Sequence, residues 1–576
     1  MNISNKTKEH NCVLGIHQSG QIASAAIVKN GKVVAGIPEE RFTRIKYDRS
    51  FPQNAINFCL KESGMSIHDI DVIAIGWNPG ENVANKYRSG FSDWMRYPGE
   101  WLTSVPNHIL PLLNNNILQT NSSYLDETGK RFDINYIDHH TCHARLSYEV
   151  SGFSKAALLV ADGWSEQKTT SLYYAENGKI EKIKSMNFPH SVGCFYAAMT
   201  EFLGYKPFND EWKVMGMAAY GNPETFSKID KLVSLKDNGE YELDLSFFDF
   251  FNYDRSCFFS TKMETLFGTP RRASEELEQR HFDIAAATQV LFAKIMNNLL
   301  DYLYKVTNSP NICLSGGVAM NCLYNGKVTE NTGFSKCHIS FAPDDSGNSI
   351  GAALQASIDI GQKVNAEGLN STIGQEFSND YIGEVLETYK LRYRKAKDLS
   401  GEVANMLTEN KVIGWVQGRS EFGQRSLGHR SILASPVDKN MKDRLNKAVK
   451  FREAYRPFAP MISCEDVLSY FDVDAEQLPV RYMEKALPFR KEVSSGIPAV
   501  VHNDGTGRLQ TVLREKEPLL HDLLQKFNKI TNCPVLVNTS FNLNGEPIVN
   551  SPEDAIRTFF TSGIDSLILS DFIIDK

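Results

Sequence analysis

The sequence lacks long apolar segments, a secretory leader and paired cysteines, and each absence excludes a class of protein. No apolar run in its 576 residues approaches the roughly 20 residues that span a bilayer, so we expect no membrane partner. The segment Met1 to Asn11 is polar, unlike the apolar core of a secretory signal. The ten cysteines form no CxxC pair, which favours reduced thiols. We therefore expect a cytoplasmic protein.

Clustered positive charge is also scarce. The formal net charge is −7, and no stretch contains five or six consecutive basic residues. On electrostatic grounds, a nucleic-acid partner is therefore not expected. The hydrophobic content of 42% and the charged content of 23% are ordinary for a globular protein, and the length predicts about two to four domains.

A histidine-rich stretch, Asp138 to Ser147, follows a short predicted strand and precedes an apolar run. On a helix, His139 and His143 lie four residues apart on one face, so both imidazoles can reach one metal ion. Asp345, which follows a later strand, offers a hard oxygen ligand that could complete the set. Spacing alone leaves a second interpretation open, in which the histidines are solvated or cap the core.

Repeated strand–turn–strand units predict an α/β fold. The first unit turns at Asn30-Gly31 and the second at Asn177-Gly178, and both dipeptides are hairpin signals. The first unit continues through a third strand into a helix. Two such units are typical of the actin-like, sugar-kinase-like (ASKHA) fold, which has a duplicated ββαβ domain.

Glycines and acids at strand ends indicate where ligands bind. Asp162-Gly163 ends an apolar strand, and the carboxyl end of a strand is a frequent ligand site in α/β sheets. Gly316-Gly317 joins a strand to a helix, so the backbone can approach a nucleotide closely. The helix N-terminus that follows, which includes Asn321, favours phosphate.

Residues 361–380 are rich in Gly, Asn, Ser and Gln, and the periodicity is lost there. We place a boundary in this segment, which predicts domains at 1–365 and 375–576. Loops of the second domain contain many charged residues beside Gly or Pro, an arrangement that indicates an enclosed polyanion site. These residues are Arg419, Glu421, Arg425, Arg430, Lys450, Arg452, Arg456 and Arg508.

Two segments keep two interpretations each. The charge-dense segment Pro38 to Lys46 is either an exposed helix start with local ion pairs or a segment that places Arg44 or Lys46 at an anion. The aromatic-containing segment Asn78 to Lys130 either lines an acceptor pocket or is a surface elaboration with its own small core.

Over nearly its whole length the chain resembles the O-carbamoyltransferases of antibiotic, toxin and nodulation-factor biosynthesis. Many long motifs occur in the family's order, which makes chance a poor explanation. They are Glu40–Arg44, His139–Ala144, Asp162–Gly163, Lys213–Gly221, Gly316–Asn321, Gly418–Gly428, Arg452–Pro460, His502–Gln510 and Asn538–Pro547.

The resemblance implies two activities in one chain. The N-terminal domain is similar to proteins that transfer threonylcarbamoyl groups, and the C-terminal domain resembles the twisted α/β threonylcarbamoyl-adenylate synthases. In the family, the C-terminal domain joins carbamoyl phosphate to ATP, with Mg²⁺ expected, and pyrophosphate leaves. The N-terminal domain then transfers the carbamoyl group to a hydroxyl of a small-molecule acceptor. A homodimer is also an expectation from the family.

The resemblance also implies roles for individual residues. Iron(II) is expected on His139, His143 and Asp345, although zinc or manganese suits these ligands as well. Asp162 is expected to orient the acceptor or act as base, and Lys46 to bind the adenylate phosphate. Nucleotide contacts in the N-terminal domain are expected from Gly316, Gly317 and Asn321, and contacts to carbamoyl phosphate and ATP from Arg425, Lys450, Arg456, Arg508 and Ser540.

The chain departs from the family pattern at two points. Where relatives have His-Asp-x-Ser, this chain has Gln21 to Ser24, so the acid–base role of that histidine is lost or moved, for example to His17. The family's Gly-Pro-Arg-Ala-Leu-Gly is replaced by Gly423 to Gly428, which keeps Arg425 and is expected to matter little. Cys142 is not favoured as a nucleophile, because a thiol is not needed.

Two other functions agree less well with the sequence than small-molecule carbamoyl transfer does. A tRNA-modifying enzyme with the same adenylate chemistry is disfavoured by the negative net charge and the lack of a basic stripe. A non-enzymatic, actin-like nucleotide sensor is disfavoured because a sensor has no need for a second polyanion site.

Overall fold

The structure, a computed structural model, describes residues 12–78, 119–252, 255–453 and 455–576. Its first sheet contains β1 (Cys12–His17), β2 (Ser24–Lys29), β3 (Lys32–Pro38), β4 (Val72–Ile75), β5 (Gln119–Leu125) and β6 (Arg131–Ile137). The strand order is β3-β2-β1-β4-β6-β5. The strands β1 to β3 form an antiparallel meander, and β4 and β6 extend the sheet parallel to β1.

A second sheet repeats this arrangement. It contains β7 (Lys155–Ala161), β8 (Lys168–Glu176) and β9 (Lys179–Asn187) and, after a separate hairpin of β10 (Val233–Leu235) and β11 (Tyr241–Leu243), β12 (Asn311–Ser315) and β13 (Lys336–Ile339). The order β9-β8-β7-β12-β13 matches β3-β2-β1-β4-β6, with the same parallel and antiparallel pairs. This topology confirms the predicted duplicated, actin-like α/β organisation.

Helices cover both sheets, and two of them lie between the sheets. The helices of at least two turns are α1 (Gln53–Glu62), α2 (His139–Ser151), α3 (Val192–Phe202), α4 (Glu211–Ala218), α5 (Gln279–Thr307) and α6 (Asn348–Asp359). The helix α6 packs on β1, β2 and β4, and α2 packs on β7 and β12. The two helices contact each other closely: a Cβ on Gly351 would lie 2.0 Å from the carbonyl oxygen of Cys142. The N-terminal ends of both helices are therefore held near one another.

The C-terminal part forms a third sheet of mixed direction. Its strands are β14 (Arg394–Lys395), β15 (Ile413–Val416), β16 (Arg430–Ala434), β17 (Ala459–Ser463), β20 (Gln510–Val512), β21 (Val535–Ser540), β22 (Ser566–Leu569) and β23 (Phe572–Asp575), and β18 (Ala486–Pro488) pairs with β19 (Thr506–Arg508) separately. Its longer helices are α7 (Asn379–Thr388), α8 (Leu399–Thr408), α9 (Pro518–Thr531) and α10 (Pro552–Phe560). One buried apolar cluster spans this sheet and its helices, as expected for a twisted α/β unit.

Two further features concern the cysteines and the helix lengths. None of the ten cysteines, all of which lie within the described residues, forms a disulfide. Among the residues that the structure describes, no helix combines the length and the apolar composition needed to cross a bilayer.

Candidate functional site

The candidate site begins at the N-terminus of α2, which starts directly after β6. The side chain of Asp138 caps the helix by accepting a hydrogen bond from the backbone N–H of Thr141 at 2.8 Å. Glu166 accepts a second one, from the backbone N–H of His139 at 3.0 Å. Capping groups satisfy the first N–H groups of a helix. The first turn of α2, and with it the histidine pair, is therefore held in place.

Two histidines and two aspartates converge at this point. The Nε2 atoms of His139 and His143 lie 3.2 Å apart. Asp345 Oδ1 lies 3.4 and 3.6 Å from them, and Asp162 Oδ2 lies 3.6 and 3.2 Å from them. One ligand atom from each of these residues lies within 4.8 Å of all the others. We call these four residues the metal cluster.

The donor set and its spacing fit a metal ion. Two ligand atoms bound at about 2.1 Å from one metal lie about 3.0 Å apart at a right angle and about 3.4 Å apart at a tetrahedral angle. The distances between imidazole and carboxylate atoms fall close to this range. Asp162 Oδ2 is buried without a hydrogen-bond partner, and such an atom normally has one. A divalent cation would satisfy it.

The electrostatics of the metal cluster also favour a cation. Burial lowers the pKa of His139 and of His143, but Asp162 and Asp345 outweigh it, so both pKa values lie above the ordinary value. Burial raises the pKa of Asp162, and the two histidines counter this and hold it at about 2. The carboxylates therefore stay ionised and carry the negative charge that a divalent cation would neutralise.

The structure adds to what the sequence predicts for two residues. Asp162, the residue predicted to orient the acceptor or to act as base, lies in the metal cluster, so its carboxylate is also available as a metal ligand. His17 was the candidate to replace a missing family histidine. It is fully buried, its Nδ1 lies 3.2 Å from the carbonyl oxygen of Gly76, and burial lowers its pKa to about 3. His17 lies next to Asp345 and does not line the cavity that opens beside the metal cluster. It is therefore badly placed to exchange a proton with an acceptor bound there.

A buried ion pair supports the first turn of α2. Lys168 on β8 donates to the capping carboxylate of Asp138, and both residues are almost completely buried. Burial alone would raise the pKa of Asp138, but the Lys168 ammonium reverses the effect, so the pKa lies below the ordinary value.

Removing this lysine should destabilise the protein strongly. Lys168→Met leaves the buried Asp138 carboxylate without its cation, and such a loss costs about 3 kcal/mol of the free energy of unfolding. Denaturant unfolding checks this value. The matched control is Lys179→Met, which removes an exposed ion pair with Glu181 and should leave the unfolding midpoint unchanged. Equal midpoints for the two variants would refute the supporting role of Lys168.

A cavity of about 190 Å³ opens beside the metal cluster. Asp162 and Asp345 lie in its wall, together with Gly317 and Asn321 from the predicted nucleotide turn. Gly316 does not line it. Gly316 has a φ of +87°, and a Cβ there would lie 2.1 Å from the carbonyl oxygen of Ala161, so this glycine shapes the turn. The first cavity thus brings together the metal cluster and two of the three predicted nucleotide-binding residues.

A second cavity, of about 180 Å³, lies between the N- and C-terminal parts and is rich in cations. Ser540 lines it and receives a hydrogen bond from Lys450. The carboxylates in its wall are Glu40 and Glu546. The cations that line it are Lys46, Arg425, Lys450, Arg452, Arg456 and Arg508. We call this second cavity the cation chamber.

The cations of this chamber repel one another. Burial and the neighbouring Arg425 lower the pKa of Arg508 to about 9. Burial also lowers the pKa of Lys450, with Arg452 and Arg456 as further causes. Within the described residues, Arg425, Lys450, Arg452 and Arg508 form no ion pair with a carboxylate within 4.0 Å. Several unpaired cations in one enclosure are what a polyanionic ligand requires.

The two cavities share part of their walls. Tyr47, Trp212, Met215, Gln424 and Arg425 line both of them. These five residues therefore lie between the cation chamber and the cavity beside the metal cluster.

Other predicted cations have structural roles. Arg44 donates to the carbonyl oxygens of Pro547 and Ile548, so it fastens the two parts together rather than binding an anion. Lys46, the other candidate of that segment, lines the cation chamber. Arg419 and Arg430 donate to backbone carbonyls and do not line the chamber. The segment Asn78 to Lys130, for which the sequence leaves open an acceptor-pocket lining or a surface elaboration, lies largely outside the described residues.

Sequence reasoning missed two residues at the site. Glu211 lines the first cavity, and burial raises its pKa to about 7. Trp212 lies at the shared wall, with the guanidinium of Arg456 3.6 Å from its ring centroid. Both residues immediately precede the motif Lys213–Gly221, and this position could have flagged them, but the motif does not identify their ligand. Arg452, one of the loop cations of the predicted polyanion site, lines the chamber.

Comparison with known proteins identifies the family whose sequences this chain matches. The family model described as "Carbamoyltransferase N-terminus" matches residues 12–354, and the one described as "Carbamoyltransferase C-terminus" matches residues 404–576. Together they cover most of the chain, including the metal cluster and the cation chamber.

Individual relatives agree with the family models. A Synechocystis protein, sll1178, is 36% identical over 98% of this chain and 96% of its own length. Nodulation protein NolNO of Sinorhizobium fredii is 33% identical over 96% of this chain and 78% of its own. The 3'-hydroxymethylcephem-O-carbamoyltransferase of Streptomyces clavuligerus is 30% identical over 64% of this chain and 65% of its own.

Proposed function

This chain belongs to the carbamoyltransferase family, and from that premise we propose that it is an ATP-dependent O-carbamoyltransferase with two reaction sites. Carbamoyl-adenylate forms in the cation chamber from carbamoyl phosphate and ATP. The carbamoyl group then moves to a hydroxyl of a small-molecule natural product beside the metal cluster. The hydroxyl oxygen bonds to the carbamoyl carbon, the bond from that carbon to the adenylate phosphate oxygen breaks, AMP leaves, and the hydroxyl proton passes to solvent. The observation that carries the proposal is the shared wall between the cavities, since it joins an anion-binding enclosure to a metal-binding one.

The chamber's cations suit the first step. Carbamoyl phosphate and a triphosphate repel each other, so fixed positive charge must hold them close enough to react, and the same charge stabilises departing pyrophosphate. We assign this role to Arg425, Lys450, Arg456 and Arg508, with Ser540 as a hydroxyl contact. The atoms balance if water releases the phosphate of carbamoyl phosphate, after which the carbamate oxygen attacks the α-phosphorus of ATP and pyrophosphate leaves.

The metal cluster suits the second step. His139, His143, Asp345 and Asp162 would hold a divalent metal, which we propose is iron(II). When bound, the metal supplies Lewis acidity toward the oxygen on which charge develops. The turn at Gly317 and Asn321 lines the same cavity and is placed to hold the nucleotide part of the adenylate. Lys46 lines the cation chamber together with Tyr47. We assign it the contact with the adenylate phosphate as the intermediate passes toward the metal cluster.

The route between the sites protects the intermediate. A mixed anhydride such as carbamoyl-adenylate hydrolyses readily in water, and an enclosed path excludes water. The residues common to both cavities offer such a path, and they include side chains from both parts of the chain. With the domain boundary that we propose between residues 365 and 375, some of these shared residues belong to the N-terminal domain and the others to the C-terminal domain, so the path lies at the interface of the two domains.

Pyrophosphate release is the direct test of this function. Purified protein with ATP and Mg²⁺ should release pyrophosphate and inorganic phosphate only when carbamoyl phosphate is present. Coupled colorimetric assays measure both products. Release without carbamoyl phosphate, or no release in its presence, would show that the chamber has another function.

The same assay can be extended to the acceptor. A panel of hydroxylated metabolites, incubated with labelled carbamoyl phosphate, should contain at least one that becomes carbamoylated. If labelled product appeared on tRNA and the protein bound tRNA with a steep salt dependence, the tRNA-modifying alternative would replace the small-molecule acceptor.

A further inference from the structure

Two loops from opposite parts of the chain meet between the metal cluster and the cation chamber. The loop Phe341 to Gly347 contains the metal-cluster residue Asp345, and the loop Gly423 to Arg425 contributes Arg425 to the chamber. Their backbones are in close approach, since a Cβ on Gly423, where φ is +94°, would lie 2.6 Å from the carbonyl oxygen of Phe341.

One side-chain hydrogen bond joins the two loops. The Nε2 group of Gln424 donates to Asp344 Oδ2. The other oxygen of Asp344 accepts a hydrogen bond from Ser346 Oγ at 2.5 Å. Asp344 is 6% exposed, so each of its oxygens depends on a protein donor. Asp344 is also the residue that immediately precedes Asp345 in the chain.

We propose that Gln424 is a positioning residue for the metal cluster: it acts through Asp344 to hold Asp345 in place, and so links the metal affinity of the N-terminal part to the chamber loop that contains Arg425. The inference rests on the proposed function for the identity of the two sites. It revises the expectation that the residue at position 424 matters little, because a side chain without an N–H donor cannot make this bond.

The physical reason lies in preorganisation. A ligand carboxylate binds a metal well when its backbone and its neighbours are already fixed, and loss of an outer partner lowers metal affinity by about 10- to 100-fold. Without Gln424, the buried Asp344 oxygen loses its donor, and the short turn that holds Asp345 can shift to find another. The backbone N–H of Gln21 donates to Asp345 Oδ2 at 2.6 Å, which anchors this carboxylate from the other side.

The test is a metal titration of the full chain. Cobalt(II) serves as the probe, since its visible spectrum reports the number and type of ligands. Gln424→Leu keeps the side chain's bulk without the amide, and Gln424→Glu keeps its length but removes the N–H donor. Both should bind cobalt(II) about tenfold more weakly than the unaltered protein. The matched control is Gln279→Leu, which removes another Gln-to-Asp hydrogen bond, to Asp283 at 2.8 Å, at a residue that does not line either cavity, and should leave cobalt(II) affinity unchanged.

Each outcome separates this inference from the proposed function. Cobalt(II) affinities of the Gln424 variants within twofold of the unaltered protein would overturn it, as would an equal loss in Gln279→Leu, since that would indicate general destabilisation. Unfolding midpoints measured for all variants make this comparison. If the unaltered protein binds cobalt(II) and the Gln424 variants bind it weakly, the inference holds even when carbamoyl-phosphate-dependent pyrophosphate release fails, and only the proposed function is lost.

Discussion

Replacing His139 by alanine should abolish carbamoyl transfer to the acceptor, while carbamoyl-phosphate-dependent pyrophosphate release continues. His139 supplies one of the two imidazoles of the metal cluster, and its Nε2 lies 3.2 Å from that of His143. Loss of a preorganised electrostatic group at the reacting atoms slows a reaction by about 100- to 1000-fold. Asp162 and Asp345 of this cluster line the first cavity, and no residue of the cluster lines the cation chamber. Parallel assays of labelled product and of pyrophosphate measure the two effects.

The adjacent histidine provides the control. His140 lies on the same turn of α2 and is equally buried, but its Nδ1 lies 2.7 Å from Ser171 Oγ and its ring is not part of the metal cluster. His140→Gln should therefore keep cobalt(II) binding and carbamoyl transfer. If His139→Ala lost transfer and pyrophosphate release to the same extent, the two-site scheme would fail.

Replacing Arg508 by leucine should impair pyrophosphate release, and with it the transfer that depends on the adenylate, but should spare metal binding. Arg508 lines the cation chamber, and its pKa of about 9 reflects burial and repulsion by Arg425, which a bound polyanion would relieve. Without it, developing charge on pyrophosphate loses a fixed cation, so pyrophosphate release should fall by about 100-fold or more. Cobalt(II) binding at the metal cluster should remain, because Arg508 does not line the first cavity.

A second arginine controls for the change in net charge. The Arg490 side chain is exposed, and its Nε donates to the carbonyl oxygen of Leu468. Arg490→Leu removes the same charge and should release pyrophosphate at the unaltered rate. Pyrophosphate release by Arg508→Leu at that same rate would show that the chamber does not bind the reacting phosphates.

The structure also explains why the two parts stay in register. Arg41 and Arg44 belong to the N-terminal part, and both donate to the carbonyl oxygen of Ile548 in a loop that lines the cation chamber. Arg41 also donates to the carbonyl oxygen of Gly423 at 2.7 Å. Charge-assisted bonds from buried guanidinium groups are strong and directional. They fasten the chamber wall to the part of the chain that contains the metal cluster.

Much of this organisation could be predicted from local patterns. The turns at Asn30-Gly31 and Asn177-Gly178 have positive φ at all four residues, as the hairpin signal requires, and they begin the two matching sheets. The four-residue spacing of His139 and His143 placed both imidazoles on one face of α2. Such features depend on neighbours within one helical turn or one hairpin, so the sequence contains the necessary information.

Contacts between distant segments could not be predicted from local patterns. Asp162 lies with the two histidines in the metal cluster, His17 is buried next to Asp345, and Arg44 donates to backbone carbonyls instead of binding an anion. Gln424, at which the departure from the family pattern was expected to matter little, donates a hydrogen bond to Asp344 across the interface between the two parts. Periodicity and spacing describe a residue's own element. Which carboxylate meets which imidazole, and which cation stays unpaired, depends on how the sheets and helices pack, because burial and partners arise only after the chain has folded.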